Sequence, residues 1–147
     1  MATADRTASV HWEGALTQGS GTVTFRSSGI GSNPVTWASR VEKADGRTSP
    51  EELLAAAHAS CYAMAFSATL GREASPPDSL DVSVTVSLNP KEGGGFRVTD
   101  SAITVRGSVP GIDQETFQAL AEKAEKGCPI SNTLRGNVDI SVQATLA

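Results

Sequence analysis

Cysteine is scarce in this chain, with two among 147 residues. Two cysteines cannot build the disulfide framework of a small secreted domain, and in a reducing compartment they form no permanent bridge. They are too few for a structural zinc site unless His11 and His58 join them, and the Cys61–Cys128 and His11–His58 spacings match no finger pattern. Runs of positive charge are also missing. Twelve Lys and Arg stand against sixteen Asp and Glu, for a net charge of −4, and the basic residues are scattered. A nucleic-acid partner requires a basic face, so nucleic acid is excluded as the main partner. No uninterrupted apolar run is long enough to span a bilayer. Residues 1–14 are polar and lack the apolar segment of a signal peptide. The most apolar stretch, from Leu53 to Leu70, is broken by His58, Ser60, Ser67 and Thr69, and reads as an Ala-rich amphipathic helix. No membrane association is expected, and the chain reads as soluble and cytoplasmic. Internal repeats and linkers are absent too.

What remains is ordinary globular composition. Hydrophobic residues make up 39% and charged residues 19%, which excludes a disordered or fibrous chain. The length fits one domain with a real core.

The first third reads as β structure. Residues 11–25 hold two short runs around Gln18-Gly19-Ser20-Gly21, a hairpin signal. Residues 34–41 read as a further extended segment, followed by a loop with an Asp45-Gly46 turn. Ser49-Pro50-Glu51-Glu52 then opens a helix: Ser49 caps it, Pro50 takes the first position, and Glu52 completes a capping box. The helix runs to about Leu70, where Gly71 stops it. More than one of its faces is apolar, so it is expected to be buried in a core or against a second chain. Residues 81–88 alternate strictly, with Val82, Val84, Val86 and Leu88 on one face. Gly93-Gly94-Gly95 turns the chain into a partner strand, 96–107, with Ile103 and Val105 inward. Asp113 caps a helix over 114–126, with Phe117, Leu120, Ala121 and Ala124 on its inner face. A short helix follows Cys128 with Pro129 at its first position. Residues 137–146 form the closing strand. The expected class is α+β in a single domain, residues 1–147, with 1–8 a loose N-terminal segment.

The chemistry-bearing residues leave alternatives open. Cys61 lies within the apolar helix, where a free cysteine is usually buried and inert. A nucleophilic role there requires a nearby cation. Cys128, at a helix start, is locally the better thiolate. Arg40 is the first candidate for the cation, since a guanidinium stays charged and grips oxygen or sulfur anions, with Arg135, Arg47 and Arg72 as competitors. Glu51 is placed to orient an arginine. It lies ten residues before Cys61 on one helix, about 15 Å along the axis. The two cannot meet within one chain, so a site using both needs a dimer. His58 is three residues before Cys61, a spacing that also admits Cys-His acyl-transfer chemistry, though no third orienting group is evident. The triple glycine lacks the lysine of a phosphate-binding loop.

Two stretches carry a resemblance. Residues 49–61, SPEELLAAAHASC, resemble the first-cysteine motif of the OsmC/Ohr family, and residues 126–134, KGCPISNTL, resemble its second. HWEG at 11–14 and VPGID at 109–113 are similar to the OsmC branch. The likeness runs from about residue 9 to the C-terminus. It implies an OsmC-like fold of antiparallel sheets and two main helices, in an intertwined homodimer with buried central helices. It implies a thiol-dependent peroxidase acting in oxidative or osmotic stress, without metal, flavin or other cofactor. Cys61 matches the peroxidatic cysteine and Cys128 the resolving one. Arg40 and Glu51 match the arginine and glutamate that the opposite chain contributes. The family pattern Asn-Pro-Glu is replaced by Ser49-Pro50-Glu51, and serine caps a helix as well as asparagine does. The expected substrates are organic hydroperoxides, with hydrogen peroxide as a further one; the apolar helix around Cys61 favours the former, since alkyl groups gain from burial. The implied cycle passes through a Cys61 sulfenic acid and a Cys61–Cys128 disulfide. An external dithiol reductant, a lipoyl group or a small dithiol, then restores both thiols.

Overall fold

The computed structural model describes residues 1–147, which divide into two compact units, Met1–Leu53 and Leu54–Ala147.

In the first unit, β1 (Ala8–Glu13), β2 (Ser20–Phe25) and β3 (Ser32–Val35) form an antiparallel sheet in that order. The β1–β2 turn lies earlier than the Gln-Gly-Ser-Gly signal suggests. Ser20 and Gly21 already belong to β2, and residues 14–19 make the turn. Gly14 sits at φ +87°, and a Cβ on Gly19 would collide with the carbonyl oxygens of Glu13 and Ala15. Only glycine fits there.

The expected strand over 34–41 is only half present. The chain leaves β3 at Val35 and enters a short helix, α1 (Trp37–Val41), which carries Arg40. Thr36 and Ser39 make a reciprocal capping box: the Thr36 hydroxyl accepts from the Ser39 amide at 3.0 Å, and the Ser39 hydroxyl accepts from the Thr36 amide at 3.0 Å. Two satisfied amides outweigh the extended propensity of Val-Thr-Trp. The Ser39 hydroxyl also donates to the Thr48 carbonyl at 2.9 Å, and the Thr48 amide donates to Pro34 at 2.9 Å, pinning the following loop beside β3.

Helix α2 (Pro50–Arg72) starts as expected at Pro50, with the Ser49 hydroxyl accepting from the Glu52 amide at 3.1 Å. The box is not completed. The Glu52 carboxylate accepts from the Thr48 hydroxyl at 2.8 Å instead. The helix also runs past Gly71 and ends only where Ala74 takes φ +56°. By length and composition α2 is apolar enough to cross a membrane. Its Tyr62, Phe66 and Leu70 stripe is instead fully buried in the core of the second unit.

That core faces β4 (Ser79–Pro90), β5 (Phe96–Ser108) and β6 (Asp139–Leu146), a three-stranded sheet in sequence order. Helices α3 (Gln114–Gly127) and α4 (Pro129–Leu134) connect β5 to β6. The alternating strand, the inward Ile103 and Val105, and the Asp113 cap all stand as expected, the cap accepting from Thr116 at 2.8 Å. One pairing differs from an all-antiparallel sheet. β6 lies parallel to β5, because the helical crossover returns the chain to the same end of the sheet. The exposed edge of β6 is covered by glutamines of α3. Gln118 accepts from the Ala144 amide at 2.9 Å, and Gln114 accepts from Leu146 at 2.7 Å and donates to Ala144 at 2.9 Å. Phe117 presses onto β5 at Gly107, where an added Cβ would meet its ring and Leu80. The Tyr62, Phe66 and Phe117 rings stack at centroid spacings of 5.8 and 5.1 Å.

Candidate active site

Cys61 sits in the middle of α2, partly exposed, and Cys128 is fully buried at the α3–α4 junction. Both thiols are free, and their sulfurs lie 3.4 Å apart, within hydrogen-bonding reach of each other. A disulfide needs a closure of roughly 1.3 Å from that separation. The core seats the pair. Tyr62, beside Cys61, is buried and donates to the Ala121 carbonyl at 2.9 Å, tying α2 to α3 just before the turn that presents Cys128.

The ionisation of Cys61 is contested. Burial pushes its thiol up, and the adjacent Cys128 adds to that, while the Ile130 backbone amide of α4 donates to Cys61 and pulls it down. The amide next to the short helix start therefore serves Cys61, not Cys128. Cys128 makes no side-chain capping bond to α4. No cation from the same compact unit pairs with Cys61, so a thiolate there calls for a charge from elsewhere.

Arg40 and Glu51 meet in the first unit. Arg40 Nη2 donates to Glu51 Oε1 at 2.8 Å, and Nε donates to both carboxylate oxygens at 3.1 and 3.2 Å. The Glu51 side chain is 10% exposed and that of Arg40 33%, so the fork is held at a partly open surface. The guanidinium also lies 5.9 Å from the Trp37 ring centroid. Nη1 is left by these bonds to face other groups. The other arginines pair differently: Arg135 reaches the buried Glu125 through a single nitrogen at 2.7 Å, Arg47 bonds Asp45 at the surface, and Arg72 is exposed in the last turn of α2. A cleft of about 460 Å³ adjoins Arg40, lined by Val10, Trp12, Val23, Val35, Trp37 and Leu53 among others. Its walls are mainly apolar side chains with one cation at the margin.

His58 is fully buried, and both ring nitrogens are engaged. Nδ1 lies 2.7 Å from Ser101 Oγ, and Nε2 lies 2.7 Å from Ser131 Oγ. Burial lowers its pKa, opposed by the Glu125 carboxylate. Its nitrogens face serine hydroxyls rather than a sulfur, which removes the general base that Cys-His acyl transfer needs. His11 is an exposed residue of β1, 3.6 Å from Glu13.

Sequence reasoning brought out Cys61, Cys128, Arg40 and Glu51, and the structure gathers them as two pairs, one in each compact unit. It missed Ser101, Ser131 and the Ile130 amide. Ser101 did leave a signal: it shares the inward face of β5 with Ile103 and Val105, where a polar residue needs a partner.

Comparison with known proteins shows the family. The model of the family described as OsmC-like protein matches residues 43–143. The protein named peroxiredoxin OsmC of Escherichia coli (strain K12) is 41% identical over 133 residues, covering 90% of this chain and 92% of that one. The crystal structure of an organic hydroperoxide resistance protein OsmC from Legionella pneumophila superposes with a TM-score of 0.77 at 26% identity, covering 99% of each chain. That of the organic hydroperoxide resistance protein OhrB of Bacillus subtilis gives a TM-score of 0.75 at 27% identity, covering 95% of this chain and 98% of that one. With a family model spanning most of its length and a close relative matched almost end to end, the chain belongs to the OsmC family.

Proposed function

We propose that this protein is a soluble, cytoplasmic thiol peroxidase that reduces organic hydroperoxides with Cys61 and Cys128. The observation that carries the reading is the approach of two free sulfurs to 3.4 Å from positions 67 residues apart. Two inert core cysteines have no reason to converge, whereas a peroxidatic and resolving pair must. The names peroxiredoxin and organic hydroperoxide resistance protein, borne by relatives, point to the same chemistry.

The Cys61 thiolate attacks the distal oxygen of the hydroperoxide. The O–O bond breaks, Cys61 becomes a sulfenic acid, and the departing alkoxide takes a proton to leave as an alcohol. The Cys128 thiol then attacks the Cys61 sulfur, forming the disulfide and releasing water. An external dithiol, a lipoyl group or a small dithiol, reduces the disulfide by exchange and is itself oxidised. Arg40 stabilises the thiolate and the developing oxyanion, and Glu51 orients the guanidinium. The apolar cleft beside Arg40 favours an alkyl or aryl hydroperoxide over hydrogen peroxide, because only the former gains from burial.

Glu51 opens α2 and Cys61 lies ten residues further along it. The site is therefore proposed to form between two chains, each lending Arg40 and Glu51 to the other's cysteines. The α2 surface fits such a partner. Ala56, Ala57, Ser60, Met64 and Ser67 are exposed on it, and the Ser60 hydroxyl is turned back onto the Ala56 carbonyl at 2.8 Å, leaving an apolar face.

The test is a thiol count. One equivalent of cumene hydroperoxide added to reduced protein should consume both thiols. Cys61→Ser should abolish turnover, and Cys128→Ser should leave a sulfenic acid that dimedone traps. Thiols unchanged by peroxide would overturn the reading.

A further inference from the structure

A buried histidine joined to two buried serines has no part in the peroxide chemistry above. His58, Ser101 and Ser131 are all fully buried, and they come from three elements: α2, β5 and α4. The imidazole is the bridge, with 2.7 Å to a hydroxyl on each side. A neutral imidazole has one donor and one acceptor nitrogen, and a serine hydroxyl rotates to answer either. The bridge is thus complete with the ring uncharged, the form that burial favours.

The positions of these residues tie the bridge to the cysteines. His58 is three residues before Cys61, on the same face of α2. Ser131 is three residues after Cys128, one turn along α4. The ring therefore links the helix that carries one sulfur to the helix whose first turn carries the other. The same turn supplies the Ile130 amide that donates to Cys61. Helix α4 has only six residues, so its own hydrogen bonds anchor it weakly. Its other side-chain ties reach further out: Asn132 bonds the Lys126 carbonyl at 3.2 Å at the surface, and Arg135, itself half exposed, bonds the buried Glu125 at 2.7 Å. The His58–Ser131 bond is the buried one.

We infer that His58 is a positioning residue for disulfide formation, holding α4 through Ser131 so that Cys128 stays within reach of Cys61. This rests on the two-cysteine mechanism proposed above and assigns that mechanism's second step a determinant outside the reacting atoms. The attack of peroxide on Cys61 does not depend on where Cys128 lies, whereas the attack of Cys128 on the sulfenic acid does. Loss of the bridge slows the second step by displacing the attacking sulfur itself, and touches the first only through the Ile130 amide, one contribution to the Cys61 thiolate. A longer-lived sulfenic acid meets more peroxide, so Cys61 is carried on to the sulfinic acid, with a second hydroperoxide reduced to its alcohol.

Two isosteres separate positioning from general stability. A glutamine amide at 58 reaches about as far as Nε2 and can bond Ser131. An asparagine amide reaches only about as far as Nδ1 and can bond Ser101 alone. Reduced protein is mixed with cumene hydroperoxide, and peroxide consumption, sulfenic acid and disulfide are followed by rapid quench and intact mass. Ser131→Ala and His58→Asn should form disulfide about tenfold more slowly, the consequence of one lost buried hydrogen bond, with the first step within about twofold of the unmodified protein. His58→Gln should restore most of the second step. Sulfinic acid should accumulate in the two slow variants under excess peroxide. Circular dichroism and thermal melts of the same samples report folding, and Ser131→Ala, which removes only a hydroxyl, serves if a His58 variant unfolds. Disulfide formation at the unmodified rate in Ser131→Ala, equal slowing of both steps, or identical behaviour of His58→Asn and His58→Gln would overturn the inference. A lack of sulfenic acid and disulfide in the unmodified protein would overturn the two-cysteine mechanism as well, so the failures are distinguishable.

Discussion

Arg40 and Glu51 form a fork whose geometry, not merely its charge, is at stake. Arg40→Lys keeps the charge but loses the planar two-point grip on the carboxylate. The rate constant for Cys61 oxidation should fall by about a hundredfold in Arg40→Met, the range for losing an oriented charge at a reacting centre, and by less in Arg40→Lys. Single-turnover peroxide reduction measures both, and an Arg40→Met rate equal to the unmodified one contradicts the role. His58 makes a separate statement through pH. Burial holds its folded-state pKa below the ordinary value of 6.5, so the unfolded chain takes up the proton first as pH falls. Its contribution is fully present above about pH 7.5 and is lost as pH falls from there toward the folded pKa, at no more than about 1.4 kcal/mol per pH unit. The Glu125 charge narrows that window. Urea midpoints between pH 7.5 and 5 should therefore fall less steeply in His58→Gln than in the unmodified protein.

Among the elements, those with strong local signals were legible. The alternation of β4, the inward Ile103 and Val105 of β5, the Asp113 cap of α3 and Pro129 at the first position of α4 all reappear in three dimensions. The failures have physical causes. Helix α1 was hidden because Val-Thr-Trp favours extended backbone, while its start is decided by a two-hydroxyl capping box. The parallel placement of β6 depends on the path of a whole crossover, which no local pattern encodes. Glu52 turned to Thr48 because a hydroxyl one residue further back was within reach. At the site, the cysteine motifs were legible only by resemblance, since local chemistry favoured Cys128 as the nucleophile. The Ile130 amide, by donating to Cys61, favours a thiolate at the residue the resemblance picks, against the upward push of burial. Packing between elements yields its own prediction. Gly107→Ala pushes a methyl group into the buried Phe117 ring and Leu80, and should destabilise the fold by roughly 1–3 kcal/mol. Denaturant unfolding checks it, and an unchanged midpoint would mean that Phe117 yields freely.

For the whole molecule, assembly is tested by complementation. If each site takes its arginine and glutamate from the other chain, two inactive variants can complement each other. A Cys61→Ser chain still offers Arg40 and Glu51, and an Arg40→Met chain still offers both cysteines. Co-refolded in equal amounts, they should recover about a quarter of the unmodified activity, because half the dimers are mixed and each has one intact site. Recovery at the level of the separate variants would rule out shared sites, as would sedimentation as a monomer at micromolar concentration.

A Cys61–Cys128 bond would also couple redox state to folding through the crossover from β5 to β6. Cys128 stands inside that crossover, and Cys61 precedes the whole sheet, so a bond between them would close a loop of 67 residues. Chain-entropy accounting assigns such a closure up to about 4 kcal/mol of stability, equivalent to a melting point higher by on the order of 10 °C. The reciprocal holds by linkage. The folded domain draws the cysteine couple toward the oxidised state by the same amount, roughly 90 mV in potential. Native and unfolded chains would then have different reduction potentials, and a dithiol that barely reduces the folded enzyme would reduce the unfolded one readily. Scanning calorimetry of the peroxide-treated and reduced forms measures one side of this cycle. A dithiol titration with and without urea measures the other, and the two differences should agree.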